Sequence, residues 1–406
     1  MDIPPRPRPS ALPRNVWIMT LTSFFTDVSS EMLLNLVPLF LANVLGVKTN
    51  VIGLIEGIAE ATSSLLKVFS GWISDKLRRR KSLTVIGYTL SALSKPFFAL
   101  VTSWPAALTV RFADRVGKGI RTAPRDALIA DSIDPQHRGT AFGIHRAGDT
   151  FGAAIGIGLA LVIVAAMQAQ AVTLAGSTFH ALALISMVPA LIAVVILVVG
   201  AKDVPVVSEQ PAPRLSLRGL PANFRAFMGI ILIFTLGNSA DAFIVLRAQE
   251  RGLNVLGILA MLLSFNVIYA LISGPAGALS DRIGRRRLIL AGWAIYGVLY
   301  LGFAAATEGW HIWALFALYG LYYGTVEGVA KAFIADFVPN EQRGTAYGVY
   351  NAAVGLMALP ASLLAGILWQ GIGEWSGFGP SAPFVAGAVL ALTAMLLLAR
   401  SGLGKT

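Results

Sequence analysis

The sequence contains no cysteine, so disulfide bonds and thiolate metal sites are excluded, and the redox state of its compartment leaves no mark. Charge is scarce as well. Only 13% of the residues are Asp, Glu, Lys or Arg, about half of what covers a soluble chain of this size. There is no Gly-rich phosphate loop leading into Lys-Ser/Thr, so the signature of an ATP-driven pump is missing. The four histidines, His137, His145, His180 and His311, are scattered and offer neither metal-ligand spacing nor a partner for a nucleophile. No enzyme chemistry, no metal and no cofactor is expected. Acidic residues are the minority, 21 against 32 basic ones, for a net charge of +11. Such a balance points to nucleic acid only where a basic soluble domain carries it. Here the cations sit in short loops between apolar runs, and no nucleic-acid role is expected. The Pro- and Arg-rich N-terminal segment lacks the apolar core and small-residue site of a cleavable signal, so the first helix is expected to stay in the mature chain.

What the sequence has in abundance is apolar length. Hydrophobic residues make up 56% of the chain and the mean hydropathy is +0.71. A bilayer crossing needs about 20 residues. Twelve stretches qualify, at approximately 16–44, 50–74, 82–102, 104–130, 138–166, 179–200, 224–248, 253–279, 286–306, 310–336, 344–370 and 381–400. The one long polar connection, 201–223, contains Pro205, Pro211, Pro213 and Pro221 and falls midway. The expected organisation is an N-terminal six-helix bundle at 1–200, a cytoplasmic linker at 201–223 and a C-terminal six-helix bundle at 224–406. Placing the N-terminus inside collects Arg6, Arg8, Arg14, the 76–81 cluster, Arg138, Lys202, Arg214, Arg218, Arg225, the 282–287 cluster, Arg343, Arg400 and Lys405 on one side. The other side receives little beyond Lys48 and Arg251. That asymmetry follows the positive-inside rule and puts both termini in the cytoplasm, with a bacterial inner membrane as the expected location.

The halves are copies. Gly71-Trp72-Ile73-Ser74-Asp75-Lys76-Leu77-Arg78-Arg79-Arg80-Lys81 returns about 206 residues later as Gly277-Ala278-Leu279-Ser280-Asp281-Arg282-Ile283-Gly284-Arg285-Arg286-Arg287. At nearly the same offset, Asp131 followed by Arg138-Gly139-Thr140-Ala141 returns as Asp336 followed by Arg343-Gly344-Thr345-Ala346. Two landmarks displaced by half the chain indicate an internal duplication. The pattern Gly-x-x-x-Asp-Arg/Lys-x-Gly-Arg-Arg-Arg/Lys after an apolar helix resembles the loop 2–3 signature of the major facilitator superfamily. The second copy fits it in full, and the first departs once, with Arg78 in place of Gly. The resemblance covers essentially the whole chain. It implies twelve transmembrane helices in two pseudo-symmetric six-helix halves that rock about a central cavity, usually as a monomer. It also implies that Asp75 pairs with Arg79 and with Asp131 to latch the outward-facing state. Asp281, Arg285 and Asp336 would form the counterpart, and Gly71 and Gly277 would allow close helix packing. The alternative reading is that these charges only set topology and anchor helix ends.

Substrate chemistry is expected deeper. An ionisable group at membrane depth costs about 2.5–3.5 kcal/mol on insertion scales and needs a partner, a cavity or a function. Asp27 and Glu31 of helix 1 are four apart and share a face. Helix 2 carries Glu56, Glu60 and Lys67. Helix 4 carries Arg111, Asp114, Arg115, Lys118, Arg121, Arg125 and Asp126, and helix 5 carries His145, Arg146 and Asp149. The C-terminal half is sparser, with Asn238 and Asp241 on helix 7, Asn266 on helix 8, and Glu327 and Lys331 on helix 10. Arg111 heads a segment similar to the superfamily's helix 4 signature, in which the Arg modulates proton coupling, although Asp114 and Arg115 replace the usual neutral residues. The resemblance makes Asp27 and Glu31 its partners and the proton carriers, since a carboxylate that alternates between desolvated and cation-paired surroundings picks up and releases a proton. A fixed structural network is the alternative. Arg115 and Lys118 either bind an anionic substrate or neutralise neighbouring carboxylates. Helix 5 has Gly148, Gly152 and Gly156 at four-residue spacing but Ala153 where the drug/proton antiporters of the superfamily have Pro. Helix 10 has a similar face at Gly320, Gly324 and Gly328.

The expected function is secondary active transport by alternating access, as proton-coupled efflux of small organic molecules, with Asn238, Asp241 and Asn266 facing substrate. The alternatives are a symporter or exchanger of an anionic metabolite held by the helix 4 cations, and a non-transporting membrane sensor on the same scaffold. The expected partners are a small-molecule substrate, protons and membrane lipid.

Overall fold

The computed structural model describes residues 12–77, 79–134, 137–204, 220–339 and 342–404. Arg6, Arg8, Arg78, Arg214, Arg218, Lys405 and most of the expected linker lie outside the described residues, as do the side chains of Asp75, Asp281 and Glu327 and the surroundings of Gly277 and Gly328. Helices run as α1 Arg14–Val44, α2 Thr49–Leu77, α3 Arg80–Leu100, α4 Trp104–Asp131, α5 Arg138–Gln168, α6 Gly176–Gly200, α7 Ala222–Glu250, α8 Val255–Ile283, α9 Arg285–Ala305, α10 Gly309–Phe337, α11 Arg343–Gln370 and α12 Ala382–Arg400. They match the twelve apolar stretches to within a few residues. Among the described residues, nine segments are long and apolar enough to cross a membrane. Helices α2, α4 and α10 are not among them; in α4 the reason is its many interior charges.

Among the described residues α1 and α7 are interrupted midway, and the sequence explains how. In α1 a tight 3-10 turn occupies Leu34–Leu36 and a wide π turn occupies Phe40–Val44. Pro38 between them has no N–H to offer the carbonyl one turn back, so regular α pairing cannot run through. In α7 the first segment stops at Gly237 and the second starts at Ala242. Asn238, Ser239 and Ala240 run non-helically between them. Short polar residues that bond their own backbone favour such interruptions over the helix interior.

The chain divides into two compact units. The first comprises 1–36, 62–163 and 177–212; the second comprises 37–61, 164–176 and 213–406. The outer segments of α1 and α2 thus pack with the second unit. The physical cause is contact without side chains. A Cβ built at Gly57 would lie 2.8 Å from Leu359 Cα, one at Gly366 2.6 Å from Asn50 Cα, and one at Gly53 would collide with the carbonyl of Ser362. Only glycine allows backbones in lipid to approach this closely. Thr49 N donates to Gln370 Oε1 at 2.6 Å and Asn50 Nδ2 to the Gly371 carbonyl at 3.0 Å, closing this α2–α11 seam.

Within the first unit, α3 packs along α4 and α5 packs on α1 through its glycines. A Cβ at Gly148 would meet Thr20 Cγ2 at 2.6 Å, one at Gly156 the Val28 carbonyl at 2.5 Å, and one at Gly152 would strike the Phe24 carbonyl. This seam is the helix 5 glycine face read from spacing, and it clamps the stretch of α1 that carries Asp27. Asn15 ties the same unit together, donating to Ser132 Oγ and the Lys202 carbonyl at 2.9 Å each and accepting from Lys202 N at 3.0 Å. Within the second unit the core is aromatic. Phe234 stacks on Trp293 at 4.7 Å and Tyr296 on Tyr300 at 4.0 Å. Arg247, fully buried, staples α7 to the ends of α9 and α12. Its guanidinium donates to the carbonyls of Phe303, Ala304 and Ala306 and to Ser381 Oγ, and pairs with Glu250 at 2.5 Å.

Candidate functional site

The first unit holds an ionic interior assembled from α1, α3, α4 and α5. Asp27 shares it with Glu31 and Asp149, and with the cations Arg121 and Lys118, all near enough to exert their charge on it. Glu31 accepts a hydrogen bond at 2.8 Å from Asn35, whose amide also reaches the Glu31 carbonyl at 3.1 Å. The tight turn of α1 at Leu34–Leu36 therefore starts beside the two carboxylates. Ser23 is a hub: it accepts from Arg125 at 2.9 Å, lies 3.1 Å from the Tyr88 hydroxyl and neighbours Asp149. Arg121 lies over the Tyr88 ring at 4.5 Å, a cation–π contact that holds a buried guanidinium without consuming a carboxylate. His145 faces Asp149 at 3.7 Å one turn away.

Arg111 and Arg115 are both buried and sit beside a different carboxylate, Asp114. Arg115 approaches it at 3.8 Å, Ser91 donates to it at 2.5 Å, and Lys95 and Arg111 lie within charge reach. The structure thus separates two carboxylate centres in one unit. Asp27 is surrounded by Lys118 and Arg121, and Asp114 by Arg111, Arg115 and Lys95.

Sequence reasoning missed Lys95. It is completely buried, with its ammonium donating to Ser29 Oγ at 2.8 Å and Ser30 Oγ at 2.9 Å, and so bridges α3 to α1 one turn from Asp27 and Glu31. Its signal was present, a lysine inside the apolar run 82–102. Arg247 was missed likewise, although Arg in an apolar segment carries the same warning.

At the basic loops, Arg285 pairs with Asp336 and donates to the Ala332 carbonyl at 2.9 Å. The first unit uses a different arginine. Asp131 pairs with Arg80 at 2.5 Å, and Arg79 is exposed. Glycine accounts for the shift. Gly284 precedes α9 at φ +91°, a conformation that costs glycine little, and α9 begins at Arg285. The first copy has Arg78 instead, and α3 begins one residue later by the repeat, at Arg80. The second landmark pair also acquires a role. Arg138 donates to the Ala130 carbonyl at 3.2 Å and Arg343 to the Ala335 carbonyl at 3.0 Å, each closing the C-terminal end of the preceding helix, where a cation complements the dipole. Gly71 packs against α4, where an added Cβ would meet Ala123 Cβ at 3.3 Å.

In the second unit, Asn238 and Asp241 frame the break in α7. Asn238 Oδ1 accepts from Tyr319 at 3.2 Å, and the Tyr296 hydroxyl donates to the Gly237 carbonyl at 2.9 Å. Ala240 N donates to Ser362 Oγ at 3.2 Å. Asn266 turns its amide back to the Leu262 carbonyl at 3.0 Å and is half-buried. Among the described residues no three His, Asp or Glu side chains converge as a metal site would require.

Comparison with known proteins agrees with this architecture. The family model of the Major Facilitator Superfamily matches residues 19–265 and 226–402. An MFS-type transporter of Methanocaldococcus jannaschii is 37% identical over 400 residues, covering 95% of this chain and 94% of the relative. The class G tetracycline resistance protein of Vibrio anguillarum is 28% identical over 188 residues, 46% of each chain. Among solved structures, a bacterial homolog of the human lysosomal transporter Spinster superposes with a TM-score of 0.78 at 15% identity, covering 96% of each chain. The nucleoside transporter NupG does so with a TM-score of 0.75 at 15% identity, covering 94% of this chain and 98% of its own. At these identities the structural likeness is one of fold alone.

Proposed function

The chain belongs to the major facilitator superfamily and is a multi-pass membrane transporter, not an enzyme; on that premise we propose that it exports small organic molecules from the cytoplasm in exchange for protons. The observation that carries the reading is the surroundings of Asp27: two other carboxylates and two cations within charge reach, on helices that a glycine seam packs closely. A carboxylate so placed has cationic partners to gain or lose as helices shift, and like charges that favour a shared proton. Glu31, with its Asn35 hydrogen bond, acts as the second carrier. Arg111 acts beside Asp114 as modulator, and Lys95, within charge reach of Asp114, Asp27 and Glu31, links the two centres. Arg285 with Asp336 and Arg80 with Asp131 hold the cytoplasmic ends of their helices during rocking. The transporter acts as a monomer in the inner membrane, with both termini in the cytoplasm. The test is pH-gradient-driven flux in liposomes across cationic, neutral and anionic compounds. Flux that vanishes in Asp27→Asn and Glu31→Gln supports the reading; gradient-independent flux untouched by both substitutions overturns it.

A further inference from the structure

One carboxylate in the second unit stands apart. Asp241 occupies the position just before the second segment of α7, where an aspartate ordinarily caps the first backbone N–H groups. It makes no such cap. Its Oδ1 is buried without a hydrogen-bond partner, and among the described residues the side chain forms no ion pair. Every carboxylate described above in the first unit has a cation or a hydrogen-bond donor beside it. Asp241 has tyrosines: Tyr300 and Tyr319 lie within reach of its charge. Tyr319 continues into a wall of rings. Its centroid lies 5.1 Å from that of half-buried Tyr323, which stands edge-on to Phe265 at 5.4 Å and to Tyr269 at 6.3 Å.

An uncompensated carboxylate in a low-dielectric interior calls for a positive charge from elsewhere. Aromatic faces select what kind, because a ring quadrupole attracts a weakly hydrated cation with an apolar body. We propose that Asp241 and the tyrosine faces of α9 and α10 form a recognition site for an organic cation, the ammonium group pairing with Asp241 and the apolar body lying against Tyr319 and Tyr323. Asn238, already committed to Tyr319, fixes the ring that stands between the carboxylate and the wall. The inference rests on the reading of the chain as a transporter of small organic molecules and names their class.

The test is equilibrium binding of benzyltrimethylammonium to the purified full chain in nanodiscs, by calorimetry and without any gradient. The uncharged isostere neopentylbenzene is measured alongside. The wild type is expected to bind the ammonium and to bind the isostere much more weakly. Asp241→Asn and Tyr319→Leu should each weaken ammonium binding by at least about tenfold. Tyr319→Phe, which keeps the ring, should retain most of it. Thermal melting of each variant identifies loss of fold, and Asp241→Glu restores the charge where Asn does not fold. Absence of ammonium binding to the wild type, equal binding of the isostere, or undiminished binding by folded Asp241→Asn overturns the proposal. Gradient-driven flux of neutral or anionic compounds in that event still supports the transporter reading, so the two failures are distinguishable.

Discussion

Helices α4 and α10 occupy equivalent places in the internal repeat, and their interior residues differ in kind. By the offset that relates Asp131 to Asp336, the positions of Arg111, Asp114, Arg115, Lys118 and Arg121 in α4 are held in α10 by Phe316, Tyr319, Gly320, Tyr323 and Val326. Gly119 and Gly324 coincide, and both are helix contacts, against Leu66 and Ile272 respectively. The duplication has thus preserved this glycine contact and replaced the chemistry of the interior face. Breaks survive at matching places too, at Leu34–Leu36 in α1 and Asn238–Asp241 in α7. Beside the first stand carboxylates with cations to answer them. Beside the second stands one carboxylate that forms no ion pair among the described residues and lies within charge reach of Tyr300 and Tyr319. On the proposed reading, the ionic unit moves protons and the aromatic unit recognises the cargo.

That contrast can be broken experimentally. The largest effect is expected from Asp27→Asn, which should reduce pH-gradient-driven flux in liposomes to background while leaving ammonium binding in place; a variant that still couples would remove the distinction between the units. Next, Arg247→Ala should cost about 3–5 kcal/mol, since it removes a buried donor to three carbonyls, to Ser381 and to Glu250. Arg247→Lys should recover only part, because an ammonium cannot span that fork. Thermal unfolding of the purified protein reads both. Lys95→Met, by contrast, should leave melting nearly unchanged but alter the pH dependence of flux, since it removes the link between the Asp27 and Asp114 centres; unaltered pH dependence would make the lysine a structural strut. Gly119→Leu should destabilise the first unit by about 1–3 kcal/mol through overpacking against Leu66, and Gly324→Leu should do the same to the second against Ile272, showing that this pair of glycine contacts is equivalent where the chemistries are not. The smallest effect belongs to the loops. Arg80→Ala should slow flux more than Arg79→Ala, whereas in the second copy Arg285→Ala should exceed Arg286→Ala.

Much of this was readable from residue order. The helices were, because apolar length is a coarse property that survives an error of several residues, and so was the glycine face of α5, because four-residue spacing is itself helical geometry. The arginine that meets Asp131 was not. Whether Arg79 or Arg80 turns inward depends on where α3 begins, and the loss of one glycine moves that start by a single residue. The break in α7 was hidden for a related reason: Asn238-Ser239-Ala240-Asp241 is no stronger a helix breaker than many polar stretches that remain helical, and the tyrosine hydroxyls that hold it come from distant helices. Lys95 was not legible because the serines that receive it, Ser29 and Ser30, lie on another helix far away in the sequence. The unit boundaries, too, depend on backbone contacts at Gly53 and Gly57 that periodicity does not encode.

Ser362 joins two of these features. Its carbonyl lies against Gly53 in the α2–α11 seam, and its hydroxyl accepts from Ala240, the residue before Asp241. A residue that serves two neighbours makes their energies interdependent: parting α2 from α11 displaces the acceptor that holds the turn of α7, and a guest that rearranges that turn changes how firmly the seam closes. Thermodynamic reciprocity then sets the two effects equal in size. On the proposed reading, the affinity of a site at Asp241 and the opening of the α2–α11 seam are, through one serine, a single equilibrium measured at two places.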